Sequence, residues 1–262
     1  MLGGKFMSNK KFIGKANREV CDVQIVEYAT KAPIVDFRYA NTTGLSITSD
    51  SVYAMAHGTR KIAFNNPLEG QITITAQVLP YQLYAMYSDG VIDTTASYYK
   101  TATITCDTAG ELPLKVSDGT IVAGTVFVYP AGEYGGTPIN GTFATDKFTA
   151  TTEGDLVAGT AYEVGFMLTR EQGVQKITLN NSRVPKDVAI YMKTFNKDVD
   201  GNLVPFYMNV LKATIQRNLE LSFTSEGDPQ EVTLTFDILE KDKDNFVELI
   251  EITEEVEINP AA

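Results

Sequence analysis

Apolar and polar residues alternate over two stretches towards the end of the chain, with Arg217 the one intruder on the apolar face. The stretches are residues 208–225 and 231–239, and the turn sequence EGDPQ separates them. Alternation with a period of two residues is typical of a β-strand that has one face buried and the other in water. The pattern predicts a long β-hairpin, whose first arm would extend roughly 50 to 60 Å at about 3.3 Å per residue.

The two faces of this predicted hairpin differ in chemistry. The apolar face is formed by Leu219, Leu221, Phe223, Val232, Leu234 and Phe236, and the hydrophilic face by Gln216, Asn218, Glu220, Thr233, Thr235 and Asp237. The hydrophilic face must meet water, and the long edges would pair with other chains unless they are covered. Two arrangements satisfy this: a sheet closed across several subunits into a barrel with a polar lumen, or an ordinary sandwich with the hairpin at one edge.

The rest of the chain also shows mainly the pattern of strands. Residues 70–79 alternate and predict a half-buried strand, after which Pro80 and the apolar spacing predict a short helix over residues 81–88. The acidic stretch 242–250 is the other predicted helix. Residues 41–66 are rich in Ser, Thr and Asn and predict a long surface loop.

Residues 97–170 have a different texture. Short runs rich in Thr and Val, such as TATITCD and TVFVYP, are separated by turn sequences such as SDGT and AGEYGG. Short strands with turns about every 8 to 12 residues are typical of an immunoglobulin-like (Ig-like) sandwich, although the Cys-Trp-Cys signature is absent. We therefore predict a mainly β protein in which an Ig-like β-sandwich at 97–170 is inserted into a host domain formed by residues 1–96 and 171–262.

Charge is distributed unevenly along the chain. The formal net charge is −11, and residues 220–262 alone hold 13 acidic and 2 basic side chains, a balance of −11. The other residues are neutral overall, with Lys5, Lys10 and Lys11 near a basic N-terminal end. An acidic surface repels nucleic acid, while oppositely charged ends would attract copies of the chain head to tail. A solvated tail and a frayed N-terminus explain the same charges.

Few residues offer catalytic or metal-binding chemistry. His57 is the single histidine, the two cysteines show no CxxC spacing, and there is no GxSxG motif. NKDVDGNLV begins like a calcium-binding EF-hand loop, but its twelfth position is Tyr207 instead of a glutamate. We therefore predict a hairpin turn around Asp200 and Gly201. We expect no enzyme, cofactor or metal site, and no membrane insertion because no run of about 18 apolar residues occurs.

The flanks of the predicted insertion resemble a known family. GQITITAQVLP, YQLYAMYSDG and the C-terminal NVLKATIQRNLELSFTSEGDPQEVTLTFDILEKDKDNFVELI are similar in order and texture to the strand, short helix and final hairpin of tailed-bacteriophage tail tube proteins, also called major tail proteins. The resemblance covers about residues 20–95 and 172–250. Residues 97–170 resemble the Ig-like decorations of phage structural proteins.

The resemblance implies a structural function based on assembly. Subunits of such proteins form hexameric rings whose sheets join into a continuous β-barrel, and stacked rings form the tube through which DNA leaves the capsid. The hydrophilic hairpin residues would then face the lumen, and DNA would be passing cargo. The implied partners are other copies of the chain and the tape measure, tail terminator and baseplate proteins. The implied location is the virion tail, assembled in the bacterial host cytoplasm.

Ring stacking would use surface loops and termini, of which the basic N-terminus and residues 41–66 are the candidates. The alternative function is an Ig-like adhesin or a capsid-decorating protein, in which the hairpin only covers an edge. Self-assembly distinguishes the two, because a tube protein forms rings or tubes and a binding module stays a monomer or a small oligomer.

Overall fold

The chain folds mainly into antiparallel β-strands joined by turns. The computed structural model describes residues 14–38, 40–242 and 246–252. Its elements are β1 (Lys15–Ala16), β2 (Asp22–Glu27), β3 (Pro33–Phe37), β4 (Thr42–Thr48), β5 (Ser51–Ala56), β6 (Thr59–Asn65), β7 (Glu69–Ala76), α1 (Gln82–Ala85), β8 (Ala96–Thr105), β9 (Glu111–Pro113), β10 (Thr120–Ile121), β11 (Phe127–Pro130), β12 (Gly141–Ala144), β13 (Lys147–Ala150), β14 (Ala161–Arg170), β15 (Val188–Asp198), β16 (Leu203–Ile215), β17 (Val232–Ile238) and β18 (Val247–Glu251). The predicted mainly β fold is confirmed. The basic residues before position 14 and the acidic residues after position 252 lie outside the described part.

Two compact units divide the chain between them. One is formed by the residues up to Val91 and from Thr178 onward, and the other by Ile92–Ile177. The first unit therefore consists of two chain segments, with β1–β7 and α1 in one and β15–β18 in the other. The second unit contains β8–β14. The sequence places the predicted Ig-like insertion at residues 97–170, inside the bounds of the second unit.

A nine-stranded antiparallel sheet, counted over the described residues, is the main part of the first unit. Seven strands follow the order β3-β2-β15-β16-β17-β7-β4, while β1 pairs with β15 and β18 pairs with β16. One edge of β16 pairs with two strands: residues 206–210 pair with β18 and residues 213–215 pair with β17. Between these stretches the register against β15 shifts by one residue, which marks a β-bulge.

Adjacent strands of this sheet bring apolar residues onto one face. Ile72 pairs with Phe236 and Ile74 with Leu234 across β7 and β17, and all four side chains are buried. Strands from both ends of the sheet order contribute to the same core, so the sheet curves around it. The other core residues on strands include Val23, Ile25, Phe37, Val188, Ile190, Met192, Val210 and Ala213.

The short helix α1 packs into this core. The helix predicted over residues 81–88 is confirmed, with Leu83 and Met86 in contact with the core. The Pro80 carbonyl accepts a hydrogen bond from the Leu83 N–H at 3.0 Å. Gly90 ends the segment in the left-handed region, with φ 79°, and donates its N–H back to a carbonyl of the helix.

The C-terminal hairpin is formed by β16 and β17, but its first arm is shorter than the alternation predicts. Only residues 213–215 pair with residues 236–238, and residues 217–231 lie outside any strand. The predicted continuation of the strand to residue 225 is therefore wrong for this chain. An extended arm needs a neighbouring strand to satisfy its backbone hydrogen bonds, and beyond Gln216 the described residues provide none.

The second predicted helix, over residues 242–250, is wrong. Val247–Glu251 forms β18 and pairs with residues 206–210 of β16. β17 does not reach this part of the β16 edge, so β18 occupies it, and Val247 packs against the core. Strand pairing and burial together outweigh the weak helical preference of a short acidic segment.

The second unit contains two antiparallel sheets and a core of its own. β14 pairs with β8 along one edge and with β10 and β11 along the other, while β9, β13 and β12 form the second sheet. Buried residues from both sheets, such as Leu112 and Phe148 on one and Val164 and Phe166 on the other, belong to the same core. The two sheets therefore pack against each other through their apolar faces.

Tyr162 links the start of β14 to the loop before it. Its hydroxyl group accepts a hydrogen bond from the Val157 N–H at 2.8 Å and donates one to the Asp155 carbonyl at 3.1 Å. A tyrosine that bonds to the backbone a few residues upstream is a feature of Ig-like sandwiches, the tyrosine corner. This contact supports the Ig-like assignment, which stays a prediction.

Tyr87 carries a buried hydroxyl group. The side chain is 3% exposed, and among the described residues its hydroxyl has no hydrogen-bond partner. Burial, and secondarily the neighbouring Tyr84, raises the pKa of Tyr87 to about 12. The folded protein keeps this phenol protonated where the unfolded chain ionises, at about pH 10. Ionisation of Tyr87 therefore costs no stability below about pH 10. As the pH rises from 10 towards 12, the free energy of unfolding falls, because the unfolded chain ionises this phenol more readily than the folded protein does.

Tyr87→Phe should raise the free energy of unfolding at pH 7 by about 1 kcal/mol, because it removes a buried polar group that has no hydrogen bond. It should also reduce the loss of stability between pH 10 and 12. Urea denaturation followed by circular dichroism measures both effects. Tyr53→Phe, at an exposed position, is the control and should change neither; equal effects of the two substitutions would contradict the prediction.

Candidate assembly surfaces

A continuous hydrophilic surface covers the side of β17, β7 and β4 that faces away from the core. Cross-strand neighbours form three rows: Thr233–Thr75–Thr42, Thr235–Thr73–Gly44 and Asp237–Gln71–Ser46. The three strands contain two acidic residues, Glu69 and Asp237, and no lysine, arginine or histidine. We call these three rows the hydroxyl face; it is rich in Thr and Ser and weakly negative.

Asp237 organises one end of the hydroxyl face. Its Oδ1 atom accepts hydrogen bonds from Gln216 Nε2 at 2.7 Å and from Gln71 Nε2 at 3.3 Å. The Gln216 backbone N–H also donates to the Thr235 carbonyl at 2.8 Å. These bonds hold Gln216 beside Thr235 and Asp237, although β16 ends one residue earlier.

The structure separates the predicted lumen residues into two groups. The group that meets at the hydroxyl face is Gln216, Thr233, Thr235 and Asp237. Asn218 and Glu220 are exposed in the loop of residues 217–231 and belong to no strand. The alternation therefore identifies the residues that share a face only as far as the strand has a partner.

The predicted core residues of the hairpin divide in the same way. Val232, Leu234 and Phe236 of β17 are buried, and Leu219 packs, partly buried, against the core. The remaining two, Leu221 and Phe223, are 44% and 88% exposed in the loop. These two side chains do not enter the core of their own chain.

Residues 41–66, predicted to be a surface loop, form strand β4 and a separate hairpin of β5 and β6. β4 belongs to the main sheet, whereas β5 and β6 pair only with each other within the described ranges. His57 and Gly58 have positive φ angles of 49° and 75°, which are typical of the tight turns that join hairpin strands. The loop prediction is wrong because this turn fixes the two arms in register.

One face of the β5–β6 hairpin is apolar and exposed. Val52 lies opposite Phe64, and Ala54 opposite Ile62. The three large side chains of this set, Val52, Ile62 and Phe64, are 61%, 56% and 58% exposed. Contiguous exposed apolar surface indicates an interaction site, and we call these four residues the hairpin patch.

The two end strands of the main sheet differ in how their edges are protected. β3 begins with Pro33 and contains Asp36, and residues of both kinds discourage pairing with another chain. β4 has the sequence TTGLSIT, without proline or charge. In the described part of the chain it pairs only with β7. Its free edge is therefore suited to accept a strand from another subunit.

The segment NKDVDGNLV forms the turn between β15 and β16, as predicted. The Asp198 carboxylate accepts hydrogen bonds from the Asn202 side chain and from the N–H groups of Asp200 and Asn202, at 2.8 to 3.0 Å. The bonds from Asn202 and the other N–H groups lower the pKa of Asp198. Gly201 has φ 92°, a conformation that a turn residue without a Cβ adopts readily.

Other polar groups of the first unit offer little chemistry. A groove of about 860 Å³ at one end of the hydroxyl face is lined in part by Glu69, Glu240 and Asp242, which adds negative charge there. Within the described ranges no three metal-binding side chains come together. Burial raises the pKa of the Cys21 thiol, which disfavours a nucleophilic thiolate. Among the described residues no helix has the length and apolar character needed to cross a membrane.

The sequence pattern of a known family extends over these surfaces and over nearly the whole chain. The model of the YomU/Tube protein family matches residues 17–252. The chain belongs to the YomU/Tube protein family. The match includes every described element from β2 to β18. A search of curated proteins gave no match.

Membership of the YomU/Tube family is consistent with a structural protein of a phage tail tube. The tail tube resemblance of the sequence is thereby confirmed. The family indicates assembly into a tail tube, a place in the virion tail, and a structural role rather than a catalytic one.

Two features of this YomU/Tube protein could not be predicted from the sequence pattern. The contact of Gln71 with Asp237 joins residues 166 positions apart, and no local pattern signals it. The hairpin patch is hidden because residues 52–56 and 62–64 are apolar at successive positions, so neither arm alternates between apolar and polar residues. The dipeptide His57-Gly58 between two apolar runs is the signal that would have found the hairpin.

Asp237→Ala should lower the free energy of unfolding by about 1–2 kcal/mol, because the amides of Gln71 and Gln216 lose their shared acceptor. Chemical denaturation measures the change. Thr233→Ala, on the same face of β17 but exposed, is the matched control and should cost less than about 0.5 kcal/mol. Similar losses for the two variants would show that the contacts of Asp237 do not organise the hydroxyl face.

Proposed function

We propose that this protein forms stacked hexameric rings whose polar, weakly acidic lumen conducts DNA from the capsid to the host cell. The observation that carries the proposal is the hydroxyl face. It lies on three paired strands that contain no basic residue, and the opposite sides of β7 and β17 are buried. Lysine and arginine side chains bind phosphates and release counterions. A lumen lined by hydroxyl groups and carboxylates offers DNA no such contacts, so the polyanion slides through.

Ring closure requires two different surfaces on each subunit, since identical surfaces produce a closed dimer. In this proposal the free edge of β4 is one surface and residues 217–225 of the next subunit are the other. This segment alternates as a strand does, yet among the described residues no strand of its own chain pairs with it. Added to the β4 edge of a neighbour, it turns Leu221 and Phe223 towards the apolar side and Asn218 and Glu220 towards the lumen.

The size of such a ring suits DNA. Each subunit contributes four lining strands, β16, β17, β7 and β4, so a hexamer has about 24. Strands spaced about 4.8 Å apart and tilted by about 40° from the tube axis then give a backbone diameter of about 48 Å. Side chains on the two walls occupy about 10 Å of this diameter, which leaves a channel of about 38 Å. A channel of this width admits a DNA duplex with its hydration.

The hairpin patch provides the contact between rings. A tube of stacked rings covers Val52, Ile62 and Phe64, which an isolated subunit exposes to water. At the tube ends the same surfaces meet the tail terminator and baseplate proteins, while the hydroxyl face meets the tape measure protein. Assembly takes place in the host cytoplasm, before DNA passes through the lumen.

Removal of the hairpin tests assembly directly. The Asn66 N–H donates to the Asp50 carbonyl at 2.9 Å, so residues 51–65 can be replaced by two glycines without disturbing β4. Negative-stain electron microscopy of the concentrated wild-type protein should show rings or hollow tubes. The shortened variant should stay folded but form no tubes, because the contact between rings is gone.

A matched pair of variants locates the contact on the hairpin. Val52→Thr with Phe64→Thr removes apolar surface from the hairpin patch and should prevent elongation. Tyr53→Ser with Met55→Thr removes comparable surface from the opposite face and should leave tubes intact. Tubes of normal length from the shortened variant, or only compact single particles from the wild type at all salt concentrations, would contradict the proposal.

The chemistry of the lumen makes a separate prediction. Thr233→Lys places one cation per subunit on the hydroxyl face, so the assembled tubes should retain duplex DNA, and added salt should release it. Thr233→Gln is the neutral control and should behave as the wild type does. Co-sedimentation of labelled DNA with tubes at low salt measures retention. Strong retention by wild-type tubes, or none by the lysine variant, would show that this face does not line the lumen.

A further inference from the structure

Three tyrosines gather on the solvent side of one sheet in the second unit. Tyr99 lies on β8, Tyr129 on β11 and Tyr134 in the loop after β11. The hydroxyl groups of Tyr99 and Tyr134 are hydrogen-bonded at 2.6 Å, and the ring centroids of Tyr129 and Tyr134 are 5.0 Å apart. Tyr99 and Tyr134 are nevertheless 52% and 44% exposed. This tyrosine cluster is therefore a fixed aromatic surface in contact with water.

The strand beneath the tyrosine cluster is shaped to hold it. Gly165 lies within β14, paired with both β8 and β11, where glycine normally weakens a strand. A Cβ atom at this position would collide with the hydroxyl oxygens of both Tyr99 and Tyr134. The φ angle of Gly165 is not positive, so the close approach of the two tyrosines accounts for the glycine.

A depression of about 280 Å³ opens beside Tyr134. It is lined by Thr101, Ala102, Thr103, Tyr134 and Glu163. Thr103 and Tyr129 flank Glu163 directly on the two neighbouring strands. The Glu163 side chain is half-buried, and within the described ranges its carboxylate has no hydrogen bond or salt bridge. The depression thus holds a carboxylate that lacks donors.

The groups around this depression restrict the ligand that fits it. The hydrogen bond between Tyr134 and Tyr99, and secondarily burial, raises the pKa of Tyr134 to about 12. The Tyr134 phenol is therefore uncharged at neutral pH. An apolar ligand would leave the Glu163 carboxylate dry and without donors, and an anion such as DNA would be repelled by it. The face of a sugar ring carries polarised C–H bonds that suit the negative π-face of tyrosine, and its hydroxyl groups are hydrogen-bond donors.

We propose that the tyrosine cluster, together with Thr101, Thr103 and Glu163, binds one unit of a neutral polysaccharide. The sugar ring stacks on Tyr134, and two of its adjacent hydroxyl groups donate to the Glu163 carboxylate. The threonine hydroxyl groups bond to the remaining positions of the ring. The volume of about 280 Å³ lies just below the range of about 300–1,000 Å³ for sites that hold a whole small molecule, which matches one sugar unit of a longer chain lying across the sheet.

Saturation-transfer NMR on the full-length protein tests this proposal. The probes are hexasaccharides of glucose, galactose and N-acetylglucosamine, with tetramethylammonium chloride as a cationic probe. We expect transfer to at least one hexasaccharide. Glu163→Gln and Thr103→Val should each weaken that binding about tenfold. The first replaces one of the two charged acceptor oxygens with an NH2 donor, and the second removes the threonine hydroxyl group. Tyr134→Ala should abolish it.

Glu133→Gln is the matched control, because it removes a carboxylate from the residue next to Tyr134 without changing the lining of the depression. It should bind as the wild type does, and the thermal transitions of all variants show whether the unit is folded. The two smaller changes, Glu163→Gln and Thr103→Val, keep the test valid if Tyr134→Ala unfolds. No transfer to any of the three hexasaccharides, unchanged binding by Glu163→Gln, or binding of tetramethylammonium alone would overturn the proposal.

Discussion

The register between β7 and β17 is the constraint on which the rest of the structure depends. Because side chains alternate between the two faces of a strand, the pairing of Ile72 with Phe236 determines both the core and the opposite surface. A slip by one residue would bury Asp237 and expose Phe236. Packing of the apolar set into the core therefore enforces a surface of hydroxyl groups on the other side. Core stability and the chemistry of the hydroxyl face in this YomU/Tube protein are two results of one register.

Elements fixed by neighbouring residues could be predicted from the sequence. The alternation at residues 70–79, the helix after Pro80 and the turn at Asp200-Gly201 each depend on a few adjacent residues, and the structure contains all three. Alternation shows that a segment is able to be a strand but does not show what pairs with it. Residues 217–225 therefore remain outside any strand, whereas the acidic segment that becomes β18 finds a free edge on β16.

In the candidate sites, too, the sequence predicts local features and misses contacts between distant strands. Thr233, Thr235 and Asp237 could be assigned to one face from their spacing alone. The hydrogen bond from Gln71 to Asp237 joins two strands that are distant in sequence and adjacent in the sheet, so the spacing does not predict it. Gly165 looks like a defect in its strand until the tyrosines above it are seen. The roles of Gln71 and Gly165 depend on contacts between distant parts of the chain, which no short sequence pattern encodes.

The separation of β7 from β17 also affects how the protein is made. Gln71 and Asp237 are 166 positions apart, and at about 5–20 residues per second a ribosome needs roughly 10 to 30 seconds to pass from one to the other. The second unit is synthesised in between and has its complete set of strands before β17 exists. The nascent chain carries an incomplete first unit for most of this time. A complete first unit therefore arises only after β17 and β18 have left the ribosome, well after the second unit has all of its strands.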